Sequence, residues 1–371
     1  MVGSMGMRLA IRPILAALAM LVFVLGAPRA EAEIVLHDLK GRTVTLAAPA
    51  KRLVVDDGRM IVALSFLSRD PVGLIAAWPH DVDRFGRELY ASYRKRFPQI
   101  DSLPRTASNA QDMNVEEILA ARPDAVLLSV YSHRADQQLR ELEQAKIPVI
   151  FVDFVTDPLN NTDRSLEIVG KAIGREAQAE RVVALRTQHR TAIANRIAGL
   201  KDAARPSVFM ETHASTRETC CNSPGSEGIG KFLQFVGARN IGDILGNKPF
   251  GKLNMEYVVS AKPDVYIASG GEYMKNRGGL LIGPHFDAAV TAKSMSDLLA
   301  RPGLALLPAV QKGAVHGISQ QLFSSPVDIL ALELLAKWTH PDLFRDLDVD
   351  ATRKQLNDLM AVPLVGTYWT Q

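Results

Sequence analysis

The chain has 371 residues, of which 47% are hydrophobic and 22% are charged. These proportions are ordinary for a folded protein with about two domains, so they exclude a disordered, collagen-like or coiled-coil chain. The formal charge of +3 gives no support for a nucleic-acid partner. Two cysteines allow at most one internal bridge, which excludes a disulfide scaffold.

Residues 1–32 have the pattern of a secretory signal peptide. Arg8 and Arg12 form a basic start, residues 14–27 are apolar, and residues 30–32 offer small side chains at the cleavage spacing. The apolar run is short for a membrane-spanning helix, which needs about 20 residues; an uncleaved anchor is the alternative. We therefore expect a periplasmic protein, secreted by way of a cleaved signal peptide.

After this segment, short apolar runs of strand length alternate with helical patterns. A hairpin is expected first, because Ile34–His37 and Thr43–Leu46 flank a turn-forming segment. The further predicted strands are Leu53–Val55, 72–76, 149–153, Ser207–Glu211, 265–269 and 314–318. The predicted helices include 136–146, 229–236 and 327–339.

An internal repeat is the most informative feature of the sequence. Residues 114–129 align without gaps to residues 254–269, and six of the sixteen positions are identical. Each copy reads as a short helix that begins at an asparagine cap, ends before a proline and leads into a buried strand. Continuous apolar strands are typical of parallel sheets covered by helices, so the repeat predicts an α/β lobe in each half.

Between the halves, residues 163–200 contain no proline and read as helix with an apolar stripe. Gly170 and Gly174 weaken a helix interior, so a break near Gly174 is expected. The sequence thus predicts an N-terminal lobe over 33–160, a linking helix over 161–202 and a C-terminal lobe over 203–371. Alternatively, the helix is packed inside one large domain.

In this order of parts, the sequence resembles the periplasmic substrate-binding proteins of ABC importers for iron siderophores, haem and cobalamin. The resemblance covers essentially all of residues 33–371. The segments that carry it are Gly41-Arg42, 51–55, 169–176, 232–240, 309–315 and 335–344. It implies two Rossmann-like lobes with parallel central sheets joined by a long rigid helix, with the ligand in the cleft between the lobes.

The resemblance also implies one glutamate on each lobe that docks onto the membrane permease. The matching residues are Glu116 and Glu256, which occupy the same place in the two copies of the repeat. One surface carboxylate per lobe suits the pseudo-twofold face of a dimeric permease. The alternative is that both glutamates only stabilise the first turn of a helix.

Ligands of open α/β sheets bind at the carboxyl ends of the strands, so we searched the segments that follow strands. These segments are rich in aromatic and cationic side chains, which suit an anionic, partly aromatic ligand such as a ferric chelate or haem. The candidate ligand-binding residues are Arg59, Trp78, Tyr131, His133, His213, Arg217, Cys220, Cys221, Tyr273 and Arg277. Tyr131 or His133 is a candidate iron ligand if haem is the cargo.

Cys220 and Cys221 are adjacent in the sequence. In an oxidising compartment they favour a vicinal disulfide that presents an apolar face to the cleft. The alternative is a soft-metal site with His213, which requires both thiols reduced.

The sequence thus predicts a monomeric periplasmic receptor that captures an iron chelate and delivers it to an ABC permease. It shows no zinc-protease or GxSxG motif, so no catalysis and no cofactor are expected. Two alternatives from other classes are a metal chaperone or enzyme that uses the two cysteines and His213, and a sensory binding module.

Overall fold

The computed structural model describes residues 1–3, 33–82, 86–106, 114–131, 136–201, 205–217 and 220–370. Residues 34–371 form one compact unit. Within the described residues, no helix has both the length and the apolar character that a membrane-spanning segment needs.

The elements follow the alternation of strands and helices that the sequence predicts. The strands are β1 (Ile34–His37), β2 (Thr43–Leu46), β3 (Leu53–Val55), β4 (Ile75–Ala77), β5 (Ala125–Ser129), β6 (Val149–Val152), β7 (Ser207–Glu211), β8 (Asn222–Ser223), β9 (Arg239–Asn240), β10 (Gly251–Lys252), β11 (Val265–Gly270) and β12 (Val315–Ser319). The helices are α1 (Met60–Leu67), α2 (Arg87–Arg96), α3 (Val115–Ala121), α4 (Asp136–Gln144), α5 (Pro158–Ala172), α6 (Glu176–Ile197), α7 (Ile229–Phe235), α8 (Met255–Ala261), α9 (Ala288–Leu299), α10 (Pro308–Gln311), α11 (Asp328–Thr339) and α12 (Val349–Leu359).

Each half contains a four-stranded sheet in which every pairing is parallel. The order is β4-β3-β5-β6 in the N-terminal half and β9-β7-β11-β12 in the C-terminal half. When the strands of each sheet are numbered by their place along the chain, both sheets have the order 2-1-3-4. The residues of β3, β5, β6, β7 and β11 are buried throughout, as expected for sheets with helices on both faces. The α/β architecture with two parallel sheets is thus confirmed.

The two copies of the repeat fold in the same way. Asn114 and Asn254 cap α3 and α8 by accepting backbone N–H donors, and each helix ends at a residue in the left-handed region. After each helix an aspartate binds the start of the first strand of its sheet. Asp124 accepts the N–H of Arg52 at 2.9 Å, and Asp264 accepts the N–H of Ser207 at 2.8 Å.

Two elements start three or more residues away from the predicted position. The strand expected over 72–76 is shorter and later, because Asp70 accepts the N–H of Gly73 at 2.8 Å and holds Val72–Leu74 in a 3₁₀ turn before β4. The linking helix, expected over 161–202, begins at Pro158, since proline suits the first position of a helix.

The linking segment consists of two helices, α5 and α6, with the expected break at Gly174, where φ is +65°. Both helices pack in a core that also includes residues of β3, β7 and α11. Arg186 of α6 is buried and pairs with Asp163 of α5 at 2.5 Å and with Asp328 of α11. This buried ion network fastens the linking helices to the C-terminal half. The predicted lobe boundaries themselves stay predictions.

Candidate functional site

At the carboxyl edge of the N-terminal sheet, three polar side chains pair with one another. Asp57, just after β3, accepts hydrogen bonds from Arg59 Nε at 2.9 Å, from Arg59 Nη2 at 2.6 Å and from the Tyr131 hydroxyl. Arg59 Nη2 also lies 3.2 Å from the Tyr131 oxygen. Burial alone would raise the pKa of Asp57, but the Arg59 charge and these hydrogen bonds hold it well below its usual range. The charge of Arg59 is therefore neutralised inside the lobe.

Two more carboxylates complete this edge. Asp56 is buried and accepts hydrogen bonds from the backbone N–H of Ser129 at 3.0 Å and from its hydroxyl at 3.0 Å, which ties the end of β3 to the end of β5. Asp81 accepts the N–H of Gly58 at 3.0 Å. Burial and repulsion from Asp57 raise the pKa of Asp81 to about 7.

The predicted ligand contact of Trp78 is not supported, because its side chain is fully buried. The ring stacks on His80 with 4.6 Å between centroids and lies directly behind Gly58, where an added Cβ would come within 3.0 Å of it. Trp78 therefore supports the turn after β3 from inside the lobe. His133, another candidate, lies outside the described residues.

The C-terminal edge carries an aromatic cluster. His213 follows β7, and its backbone N–H donates to Ser269 Oγ at 3.1 Å, at the end of β11. Its Nδ1 lies 2.6 Å from the Tyr273 hydroxyl, and its ring lies 5.5 Å from that of Tyr273 and 6.3 Å from that of Phe250. Tyr273 and Phe250 each expose more than a third of their surface. The structure thus brings together His213 and Tyr273, two predicted residues, with a third aromatic that sequence reasoning missed.

Cys220 and Cys221 form a disulfide, as predicted. Cys221 is fully buried and exchanges backbone hydrogen bonds with Leu253, so of the two only Cys220 reaches the surface. The Cys221 side chain is therefore not exposed to a ligand in this structure, and its ligand contact stays a prediction. Glu211, the acidic side chain near both sulfurs, is engaged with Arg301, whose Nη1 lies 2.7 Å from Glu211 Oε1. A thiolate metal site is not favoured in this state, because both sulfurs are bonded to each other.

Arg217 braces the segment that carries the other C-terminal candidates. Its Nη1 donates to the carbonyl oxygen of Asn276 at 2.7 Å, and the Ser215 hydroxyl donates to the carbonyl oxygen of Arg277 at 2.5 Å. These bonds fix the 3₁₀ turn Glu272–Arg277, which follows β11. Arg217 is thus placed to position Tyr273 and Arg277.

A pocket of about 540 Å³ lies between the two halves. The halves meet there closely, since a Cβ on Gly86 would fall 1.8 Å from Gln321 Nε2. The φ of +97° at Gly86 favours glycine at this position. The charged and aromatic residues that line the pocket are Arg87, Glu272, Tyr273, Lys275 and Arg277. The lining carries three cations and one carboxylate, so its formal charge is positive and suits an anion.

Of these lining residues, Arg87, Glu272, Lys275 and Gln321 are not among the candidates named from the sequence. Lys275 shares the turn of Tyr273 and Arg277, and Gln321 closely follows β12, so the rule that ligands bind at strand ends could have found both. Arg87 begins α2 and belongs to the half opposite Lys275 and Arg277. Only the contact between the halves brings it to the pocket.

Glu116 and Glu256 occupy equivalent positions in the two halves. Each is exposed and lies in the first turn of its short helix, α3 or α8. Their exposure leaves both carboxylates accessible to a partner.

Comparison with known proteins identifies the family. A profile of the family described as periplasmic binding protein matches residues 64–322. The uncharacterized ABC transporter substrate-binding lipoprotein YvrC of Bacillus subtilis is 23% identical over 63% of this chain and 68% of its own length.

Two solved structures have a similar fold. The TroA-like periplasmic binding protein FepB from Veillonella parvula superposes with a TM-score of 0.82 at 24% identity, over 91% of this chain and 99% of its own. The molybdate periplasmic binding protein MolA from Haemophilus influenzae, bound to molybdate, superposes with a TM-score of 0.67 at 16% identity, over 90% of this chain and 99% of its own. The family match covers more than half of the chain, and the chain therefore belongs to the periplasmic binding proteins, a family of solute-binding proteins.

Proposed function

We propose that this chain is the periplasmic receptor of an ABC importer and that it captures an anionic iron chelate, a ferric siderophore or haem, in the pocket between its lobes. In this proposal the chain is secreted by a cleaved signal peptide and acts as a monomer. It performs no chemistry on the ligand. It delivers the loaded ligand to the permease in the inner membrane.

The observation that carries this proposal is the chemistry of the inter-lobe pocket. Arg87, Lys275 and Arg277 favour an anionic ligand, and Tyr273, with His213 behind it, offers an aromatic wall. The volume of about 540 Å³ falls within the range of about 300–1,000 Å³ that is typical of pockets for organic ligands. A bare oxyanion such as the molybdate of MolA would fill only a small part of it.

Delivery is assigned to Glu116 and Glu256. The duplicated fold places one exposed carboxylate on each half, at the same position of an equivalent helix. A permease built from two similar subunits would present two equivalent cationic sites to such a pair. The relative YvrC is itself described as an ABC transporter substrate-binding protein, which supports this partner.

A titration panel tests the ligand assignment. Quenching of intrinsic fluorescence is measured with a ferric tricatecholate, a ferric hydroxamate, haemin and molybdate. We expect tight binding of at least one iron chelate, weakened about tenfold or more by Lys275→Ala with Arg277→Ala, since each lost charge contact is worth on the order of 1 kcal/mol or more. Arg164→Ala, an exposed cation of α5, is the matched control and should change nothing. Tight binding of molybdate alone would overturn the assignment.

A second experiment tests delivery. Glu116→Ala with Glu256→Ala should abolish uptake of the bound chelate by cells and leave its affinity in solution unchanged. Glu117→Ala, which removes the neighbouring exposed carboxylate of α3, is the control and should transport normally. Normal uptake by the double variant would refute the docking role.

A further inference from the structure

We propose that Glu256 lies at the centre of an apolar contact patch, formed with Ile244 and Leu306, that fits the periplasmic face of the ABC permease. This inference rests on the proposed function, because it extends the docking role of Glu256. It adds that the two halves contribute unequally to the free energy of permease binding, which the duplicated glutamates alone do not imply.

The two side chains stand out by their exposure. Among large apolar residues of the described chain from residue 33 onward, Ile244 and Leu306 are the most exposed, at 66% and 62%. Single exposed apolar residues are normal on a protein surface and need no explanation. The feature that needs an explanation is that both lie on turns that contact the N-terminal end of α8.

The turn that carries Leu306 packs on Met255, the residue before Glu256. The 3₁₀ turn Leu304–Leu306 follows Gly303, and a Cβ on Gly303 would lie only 2.6 Å from Met255 Cγ. The N–H of Leu306 donates to the carbonyl oxygen of Gly303 at 3.1 Å. The exposed leucine is thus part of a turn that packs tightly on Met255.

The turn that carries Ile244 is hydrogen-bonded to Tyr257, the residue after Glu256. The Tyr257 hydroxyl donates to the carbonyl oxygen of Ile241 at 2.8 Å, at the start of the 3₁₀ helix Ile241–Leu245. One hydrophobic cluster of the C-terminal half includes Leu304 and is contacted by Leu245, Met255 and Tyr257. Both turns are therefore anchored inward, while Ile244 and Leu306 point their side chains to solvent.

The N-terminal half has a smaller version of this arrangement. Leu119 lies one turn after Glu116 on α3 and is 40% exposed. The occupant that fits a carboxylate surrounded by apolar side chains is a cation set in an apolar surface. When such surfaces meet, the apolar rim excludes water from the ion pair, which strengthens it. An arginine-bearing permease face has this chemistry, and the larger patch predicts that the C-terminal half contributes more to binding.

The test measures binding of the purified chain to its permease complex in lipid nanodiscs at several salt concentrations. Ile244→Ser with Leu306→Ser should weaken binding about tenfold or more and make the remaining binding more sensitive to salt, because the Glu256 ion pair becomes hydrated. Leu119→Ser should have a smaller effect. Val35→Ser, an exposed apolar residue of β1, is the matched control and should bind as the wild type does.

Ligand titration and thermal unfolding of the same variants show that they are folded and still bind the ligand. The patch is refuted if the double serine variant binds the permease with an affinity within twofold of the wild type while Glu256→Gln binds more weakly than that. The docking role of Glu256 would then remain supported. If the wild-type chain itself fails to bind the permease, the proposed function and this inference both fall.

Discussion

The two halves share a scaffold and differ in what they place at its carboxyl edge. In the N-terminal half, Asp57, Arg59 and Tyr131 satisfy one another. In the C-terminal half, Tyr273, Lys275 and Arg277 line the inter-lobe pocket. The strand order and the capped helices of the repeat are the same in both.

This difference shows where specificity resides in a duplicated fold. The sheets and their capping helices fix where the strand ends lie, and the short segments after the strands decide what a ligand meets. In the N-terminal half the described parts of those segments form a polar network in which Asp57 accepts hydrogen bonds from Arg59 and Tyr131. In the C-terminal half, the segment after β11 is braced through the Arg217 and Ser215 bonds, and its charged side chains line the pocket.

The largest effect is expected where the linking helices join the C-terminal half. Arg186→Ala should lower the free energy of unfolding by about 3–5 kcal/mol, because it leaves the buried Asp328 without its paired cation and Asp163 with Arg190 alone. Urea unfolding followed by circular dichroism measures this. Arg164→Ala, which removes the exposed pair with Glu167 and a long hydrogen bond to the carbonyl oxygen of His37, should cost less than about 1 kcal/mol. Equal losses for the two variants would show that the network does not fasten the linking helices.

A matched pair of variants tests whether the two copies of the repeat contribute equally to the free energy of unfolding. Asp124→Ala and Asp264→Ala each remove a carboxylate that binds the start of the first strand of its sheet. Each should lower the free energy of unfolding by about 1–2 kcal/mol, the value expected for hydrogen bonds to a partly solvated charge. Chemical denaturation of both variants measures the two losses. A loss in only one half would break the equivalence of the copies.

The smallest effect concerns pH and the N-terminal network. The pKa of Asp81 is raised to about 7 in the folded chain by burial and by the charge of Asp57, whereas an unfolded aspartate titrates near about 3.9. The folded state therefore binds this proton more tightly, and stability falls as pH rises from about 4 to about 7.

Asp81→Asn replaces the titrating carboxyl group with a neutral amide and keeps an oxygen that accepts the N–H of Gly58. It should raise the free energy of unfolding by on the order of 1 kcal/mol at pH 8 and leave it unchanged at pH 4. Thermal unfolding across this pH range measures the effect. A variant that is less stable than the wild type at pH 8 would contradict the assignment of the raised pKa.

The parts of the fold set by local signals could be predicted from the sequence. The repeat is readable because an asparagine cap, a proline stop and a buried strand each depend on neighbouring residues. Of the two boundary shifts, the later start of β4 comes from a single side chain, Asp70, whose bond to Gly73 competes with the strand.

The site was less predictable because its geometry depends on contacts between distant segments. Trp78 follows a strand as the rule for ligand sites requires, but packing behind Gly58 and His80 buries it. Arg87 reaches the pocket only because Gly86 meets Gln321 of the other half. No periodicity or spacing in the sequence encodes either contact.

The central claim is that an iron chelate binds between the two lobes. The most direct measurement is the visible absorption spectrum and iron content of the protein purified from the periplasm of iron-limited cells. We predict about one iron per chain with the charge-transfer or Soret band of a bound chelate, and loss of both in the Lys275→Ala, Arg277→Ala variant. A colourless, iron-free protein from cells whose periplasm contains the chelate would contradict the claim.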